Sequence, residues 1–322
     1  MKRTLVIIVT AIILVVAVTL IFSYLKPNEV AKETEENSTV SRELKSISPD
    51  GAAYTEISSY DENLNPLENT TKIKPKDNQA NILNFNIFNG VDYDREFKII
   101  VLQNFVQSKF SIDDDSNVLQ SHNVRISKKS EKKIKVSVEI DKETTDLTVL
   151  FVKDPDGIVK EMDIEKMAYY EPVYAKRLLI DNENNNLEIE NFKYPDFTYQ
   201  SDVDDTPIFL SESKTERRIL PSAQQASKAY LHIGNPNPEL THTKYAIIAL
   251  KDWEQVKIMD DSVLFVESDS KKTNGYNIEL PGIKNNEENI QFIAFPYPFE
   301  DWYNYTQNPV EYTFRTALLK DR

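Results

Sequence analysis

One passage of this chain is written twice. "IIVLQNFVQSKF", Ile99 to Phe110, returns as "IIALKDWEQVKI", Ile247 to Ile258. Laid over each other without a gap, Ile, Ile, Leu, Gln and Lys coincide, and Phe105 falls on Trp253. Flanking passages keep the same order. "IKPKDNQA" from Ile73 lies over "ILPSAQQA" from Ile219, and "LNFNIFN" from Leu83 lies over "AYLHIGN" from Ala229. Further on, "DLTVLFVKDPD" from Asp146 lies over "NIQFIAFPYPF" from Asn289, and "EPVYAKRLLI" from Glu171 matches "NPVEYTFRTALL" from Asn308. The offset drifts only slowly along the chain, as loop insertions and deletions produce, so this is a tandem duplication. Each copy is about 115 residues, far beyond the roughly 20–50 residues of a solenoid unit, so the repeat is a whole domain.

Within each copy the apolar residues alternate, as in Leu83, Phe85, Ile87, in Ile134, Val136, Val138, and in Tyr276, Ile278, Leu280. That period of two marks β-strands with one buried face. The runs "KIIVLQ", "LTVLFV", "AIIAL" and "IQFIAF" are apolar on both faces, which predicts central strands of a two-layer core. Turn-forming passages such as "KDPDG" and "SDSKKTNG" separate them. The expected fold class is all-β: two tandem antiparallel immunoglobulin-like β-sandwich domains after an N-terminal transmembrane helix. The chain has no cysteine, so the inter-sheet disulfide of antibody domains is missing and the likeness is to an architecture, not to a family. In the repeated passage, Phe105 and Trp253 are expected to begin the next core contact, while Gln107 and Gln255 alternate toward solvent. Two readings of the repeated glutamine stay open, a shared local hydrogen bond and a shared surface.

The N-terminus carries a different signal. Leu5 to Leu25 holds no charged residue. As a helix it spans about 31 Å, the thickness of a bilayer's hydrocarbon core. No Ala-x-Ala-like cleavage site follows, so an uncleaved anchor is expected rather than a signal peptide. Lys2 and Arg3 precede the segment and Glu29, Glu33, Glu35 and Glu36 follow it, which predicts a cytoplasmic N-terminus and an extracytoplasmic bulk. The expected organisation is a cytoplasmic tip and anchor (1–25), a polar tether (26–65), copy one (66–182), a polar linker (183–206) and copy two (207–322). Export without disulfides, together with the Lys-, Asn- and Ile-rich composition, suits a Gram-positive cell-surface protein, localised as a single-pass protein in the plasma membrane.

Composition excludes several chemistries. Without cysteine there is no thiol nucleophile and no thiolate metal site. The chain lacks a Gly-x-Ser-x-Gly elbow, a His-Glu-x-x-His helix and a phosphate-binding or dinucleotide loop, and it has only six glycines. His122, His232 and His242 are the only histidines, and none has triad spacing. His232 falls on a strand with Leu231 and Ile233 pointing the other way, which places it toward solvent. The acidic passages "SIDDDSN", "SDVDD" and "MDDS" lack the ligand spacing of a calcium loop and read as solvated turns. No catalytic residue, metal site or cofactor is expected. A net charge of −14 and the absence of a recognition motif argue against nucleic acid.

The places where the copies differ are more informative. Copy one carries "RISKKSEKKIK", which gathers Arg125, Lys128, Lys129, Lys132, Lys133 and Lys135. This is a candidate basic patch for an anionic wall polymer or headgroup, or a hairpin whose lysines guard a sheet edge. Copy two carries "FPYPFEDWYNYTQNP", with Tyr297, Phe299, Trp302, Tyr303 and Tyr305 close together. Such a loop is a candidate aromatic platform for a sugar or a protein partner, or else it packs on the neighbouring domain. The expected function is a membrane-anchored extracytoplasmic binding or assembly protein that recognises a partner protein or a cell-wall glycan. The alternatives are a cell-wall hydrolase with carboxylates between the domains and the extracellular subunit of a membrane sensor.

Overall fold

The computed structural model describes residues 55–76, 79–113, 115–181, 187–200, 207–235, 240–304, 306 and 308–320. The expected membrane segment and most of the tether lie outside the described residues. Among those described, no helix is long and apolar enough to cross a membrane. The chain is mostly β-sheet.

Copy one contains β1 (Thr55–Tyr60), β2 (Lys72–Ile73), β3 (Asn81–Asn89), β4 (Arg95–Gln103) and β5 (Val106–Ser108). It continues with β6 (Ser111–Ile112), β7 (Ser121–Ile126), β8 (Ser130–Val138), β9 (Asp146–Lys153), helix α1 (Ile164–Tyr170) and β10 (Val173–Ile180). Its small sheet has the order β1-β3-β8-β6, and its large sheet the order β2-β10-β9-β4-β5 with β7 also paired to β4. Copy two opens with β11 (Phe197–Gln200), β12 (Ile208–Ser211), β13 (Ser222–Gln224), β14 (Lys228–Gly234) and β15 (His242–Lys251). Then follow β16 (Glu254–Val256), β17 (Leu264–Asp269), β18 (Lys272–Glu279), β19 (Glu287–Pro296), β20 (Glu311–Tyr312) and β21 (Thr316–Leu319). Its small sheet runs β11-β18-β14-β12 and its large sheet β13-β21-β19-β15-β16, with β17 on β15 and β20 on β19. The pairing is not wholly antiparallel. In each copy the last strand also takes a parallel partner, Leu179 opposite Lys72 and Ala317 opposite Ser222.

Each copy closes its own core between its two sheets. In copy one Phe97, Ile99 and Val101 of β4 and Leu147, Val149 and Phe151 of β9 meet Leu83, Phe85, Ile134 and Val136 of the small sheet. In copy two Tyr245, Ile247 and Ala249 of β15 meet Leu231, Ile233, Tyr276 and Ile278 in the same way. The opposite face of these strands is buried too. Ile100, Leu102, Leu150 and Val152 from copy one pack with Ala246, Ile248, Leu250, Ile293 and Phe295 from copy two in a third core. The two large sheets therefore lie face to face, and the body has four layers of sheet. This is the physical reason that "KIIVLQ", "LTVLFV", "AIIAL" and "IQFIAF" are apolar on both faces: alternate residues serve different cores. Fully burying each such side chain contributes about 1.5–3 kcal/mol.

Two strands fall inside the expected tether and linker, at the places where the sequence departs from a plain polar connector: "GAAYTEISSY" and the aromatic-bearing stretch before Asp205. Thr55–Tyr60, within the stretch read as tether, pairs along its whole length with β3. Phe197–Gln200, within the stretch read as linker, adds to β18 as an outer strand. The Phe197 ring lies against Gly275, where a Cβ would meet it at 2.1 Å. Glycine at that position is what lets the linker strand settle on the sheet.

Candidate functional site

The repeated passage sits at the junction of the two copies. In each, a two-residue turn links a long strand to a short one: Asn104-Phe105 between β4 and β5, Asp252-Trp253 between β15 and β16. All four residues have positive φ, at 47° and 67° in copy one and 45° and 72° in copy two. Two-residue hairpins that follow the sheet twist need that backbone, usually with glycine at the second position. Here the second residue is aromatic and its ring is buried between the copies. Phe105 packs on Phe295, Phe299 and Phe265 at centroid distances of 5.0, 5.3 and 6.5 Å. Trp253 donates Nε1–H to the Pro155 carbonyl at 2.9 Å.

The glutamines close the junction reciprocally. The Gln107 amide N–H donates to Gln255 Oε1 at 2.6 Å, and the Gln255 amide N–H donates to Gln107 Oε1 at 2.7 Å. Gln107 Nε2 donates to the Trp253 carbonyl at 3.1 Å, and Gln255 Nε2 to the Phe105 carbonyl at 3.0 Å. Both copies thus make the same set of bonds to each other, as the two halves of an isologous dimer do. Of the two readings left open, the hydrogen bond holds both ways: each Nε2 also donates within its own copy, Gln107 to the Gln120 carbonyl at 3.1 Å and Gln255 to the Ser262 carbonyl at 2.8 Å, while the other bonds run between the copies.

Arg177 and Arg315, matched in the closing passages, repeat this exchange. Arg177 is wholly buried; its Nη1 and Nη2 donate to the carbonyls of Pro296 and Tyr297 at 2.6 and 3.2 Å. Arg315 Nη2 and Nη1 donate to the carbonyls of Lys153 and Asp154 at 2.5 and 2.8 Å. Each guanidinium lies over the turn aromatic of its own copy, Arg177 5.3 Å from the Phe105 ring and Arg315 4.7 Å from that of Trp253. The symmetry breaks at one atom. Arg177 Nε donates to Asp146 at 2.7 Å, whereas Asn289 stands at the matching position of copy two and Arg315 Nε has no hydrogen-bond partner. Burial is the largest influence on the copy-one pair, pushing the Asp146 carboxyl up and the Arg177 guanidinium down, and their mutual attraction opposes both. Burial also lowers Arg315, to about 10.

The aromatic loop of copy two is largely part of this junction. Tyr297 is buried and donates its hydroxyl to the His242 carbonyl at 3.1 Å. Phe299 packs on Phe105, and Trp302 is 0 % exposed beneath Arg177, 5.8 Å from its Cζ. Tyr303 alone turns a ring outward, at 59 % exposure, and Tyr305 lies outside the described residues. The five do not make an exposed platform, because Tyr297 and Trp302 are buried and Phe299 packs on Phe105. Sequence reading missed the two arginines, although a matched Arg among apolar neighbours in both closing passages was a usable signal.

The basic residues do not share one face. Arg125 lies on β7 in the large sheet and pairs with Asp94 at 3.0 Å, and Lys129 in the connecting turn lies 3.6 Å from Asp92. Lys132, Lys133 and Lys135 lie on β8 in the small sheet, where Ile134 and Val136 between them enter the core. Lys128 is exposed in the turn, its backbone N–H held by Asp94 at 3.1 Å. Strand β6 pairs with β8 at Val136 and Ser137, and Asp113 continues that edge, its N–H donating to the Lys135 carbonyl at 2.9 Å and its carboxylate accepting from the Lys135 N–H at 2.8 Å.

His232 is not on solvent. It alternates with Leu231 and Ile233 as expected, but the outer face of its sheet is covered and the residue is 0 % exposed. Its ring stacks on Phe209 at 4.4 Å, and its Nδ1 and Nε2 lie 3.1 Å from the Tyr199 hydroxyl and the Ser213 carbonyl. The Ser213 carbonyl can only accept, so Nε2 carries a proton, and above the ring's pKa Nδ1 then accepts from Tyr199. Burial holds its pKa down at about 4.

Two openings among the described residues bear on the site. One lies between the copies beside Glu171, walled by Ile208, Phe209, Ile219, Tyr312 and Phe314, with a volume of about 20 Å³. Burial raises Glu171 to about 7, with Arg217 opposing and Glu311 adding to the rise. The other is a groove of about 390 Å³ between residues 190–195 and the β17–β18 hairpin, lined by Phe192, Tyr194, Thr198, Glu267, Lys272 and Asn274. Among the described residues no three histidines or carboxylates converge as metal ligands.

No protein-family model matches the chain. No curated protein matches it in sequence. Among solved structures it is similar to a PapD-like domain of human CEP192, at 10 % identity and a TM-score of 0.23 over 48 % of this chain and 100 % of that one. It is also similar to the Salmonella enterica SafA pilin in complex with the SafB chaperone, at 8 % identity and 0.23 over 83 % and 97 %. A third is the CsuC-CsuE chaperone-tip adhesion subunit pre-assembly complex of Acinetobacter baumannii, at 12 % and 0.21 over 79 % and 96 %. Superpositions this loose carry no inference about this chain, and function is argued from its own residues.

Proposed function

We propose that this is a binding or assembly protein, held in the plasma membrane by residues 5–25 with its bulk outside the cell, that recognises a partner protein or a cell-wall glycan. The observation that carries the reading is the junction. Both copies commit their large sheets, their turn aromatics and a buried arginine to locking against each other. What this leaves is one stiff body with two outward sheets and polar loops, which suits presenting surfaces and does not suit closing over a substrate. A hydrolase needs room beside its acid. Glu171 and Glu311 are two of the raised carboxyls near the junction, and the space of about 20 Å³ beside Glu171 admits a single water and no sugar ring.

The test incubates the full-length chain in detergent with purified cell wall, measuring retention and released reducing ends, with photo-crosslinking from position 303 in cells as a second arm. Retention, or one discrete crosslinked species, without sugar release supports the proposal. Catalytic release of reducing ends overturns it. Protease added to intact spheroplasts tests placement, since residues from 55 onward are then digested from outside.

A further inference from the structure

We infer that the groove between residues 190–195 and the β17–β18 hairpin is a subsite for an uncharged glycan. This rests on the binding reading above and names its ligand class and place. The first observation is Tyr194, 90 % exposed where an aromatic ring of that size is ordinarily covered. Its backbone is held on both sides: the Lys193 N–H donates to the Phe265 carbonyl at 2.8 Å and the Asp196 N–H to the Gly275 carbonyl at 2.9 Å. The Asp196 carboxylate accepts from the Asn277 N–H at 2.7 Å, a third anchor. The ring is thus presented on a fixed rail, and stacking on it costs little ordering entropy.

The second observation is the rest of the lining. Asp269 is neutralised locally by Lys272 at 2.6 Å and lies 2.8 Å from His242, which leaves the exposed Glu267 as a carboxylate acceptor in the same lining as the ring. The floor is polar, with Thr198 donating to Asn274 at 2.7 Å. A protein hot spot wants an apolar pocket for a buried anchor, whereas here Phe192 and Pro195 share the lining with Glu190, Glu267, Lys272 and Asn274. A ring face for C–H stacking, together with a carboxylate that accepts from paired hydroxyls, is what a sugar uses. The volume of about 390 Å³ falls within the usual range for small-molecule clefts, about 300–1,000 Å³. Charge decides between glycans. Glu190, Glu267 and Asp269 outnumber Lys193 and Lys272 around the groove, which disfavours phosphate-bearing wall polymers.

The test titrates the full-length chain in detergent with the tetramer of N-acetylglucosamine by calorimetry, alongside Tyr194→Ala, Glu267→Gln and Tyr303→Ala. Binding by the parent, weakened roughly tenfold or more by Tyr194→Ala, weakened by Glu267→Gln and untouched by Tyr303→Ala, is the expected result. Because Tyr194 faces solvent, its variant should melt with the parent, so lost binding is not lost fold. Unchanged affinity in Tyr194→Ala, or no binding of the tetramer by the parent, overturns the subsite. Retention on whole cell wall and crosslinking from position 303 in the same preparations separate the two ideas: if either persists the binding reading stands without this groove, and if both are absent the binding reading falls with it.

Discussion

Gln107 and Gln255 each cap the other's backbone, the two amide N–H groups donating across the junction at 2.6 and 2.7 Å. Local secondary structure does not demand this. It arises because the same passage, written twice, meets itself about a pseudo-two-fold axis. Removing either side chain leaves a part-buried N–H without its acceptor, which costs about 1–3 kcal/mol. Because the pair acts as a unit, Gln107→Ala and Gln255→Ala should be non-additive, with a coupling of about 0.5–3 kcal/mol in a double-mutant cycle followed by denaturant unfolding. Additive losses would mean that the two bonds are independent.

The aromatic loop gives a sharp contrast between adjacent residues. Trp302→Ala removes a wholly buried ring from beneath Arg177 and should cost about 3–5 kcal/mol. Tyr303→Ala removes a ring that is more than half exposed and should stay within about 0.5 kcal/mol of the parent. Thermal melts of both decide whether this loop is structural.

Asp146 is the one carboxylate bonded to the buried arginine of copy one. Asp146→Asn leaves Arg177 with carbonyl partners alone, the arrangement Arg315 already has opposite Asn289. Breaking a buried pair from one side costs about 3–5 kcal/mol. The loss should therefore fall in that range under denaturant, and a neutral outcome would mean that carbonyls and ring faces suffice for both arginines.

Two buried groups give acid–base signatures of opposite sign. His232 titrates near 4 when folded against 6.5 unfolded, so between those values the unfolded chain binds more protons and stability is lost as pH falls. Glu171 titrates near 7 when folded against 4.5 unfolded, so across that window the folded chain binds more protons and stability is lost as pH rises. His232→Gln should flatten the acid limb of a stability–pH curve. Glu171→Gln should flatten the descent toward neutral pH and stabilise the protein above pH 7.

Much of this architecture can be read from the residues, and the remainder is hidden for physical reasons. Ile99, Ile100 and Leu102 announce a buried strand, and their return at Ile247, Ile248 and Leu250 announces a second domain. What they cannot announce is that Ile100 and Ile99 serve different cores, because burial within a sandwich and burial between sandwiches ask for the same side chains. His232 shows the same limit: alternation gave its face, but only the covering Phe209 and Tyr199 decide whether that face is wet. The linker strand did leave a trace, since Phe197 and Tyr199 alternate with Thr198 and Gln200. Tyr194 left none, because an exposed ring and a buried one look alike in sequence.

The central claim is that the two copies form one cooperative body through their repeated passage. Differential scanning calorimetry of the full-length chain, beside a Phe105→Ala, Trp253→Ala double variant, tests it most directly. The parent should unfold in one transition with equal calorimetric and van't Hoff enthalpies, and the variant should split into two. Two separate transitions in the parent, at positions the double variant does not move, would contradict it.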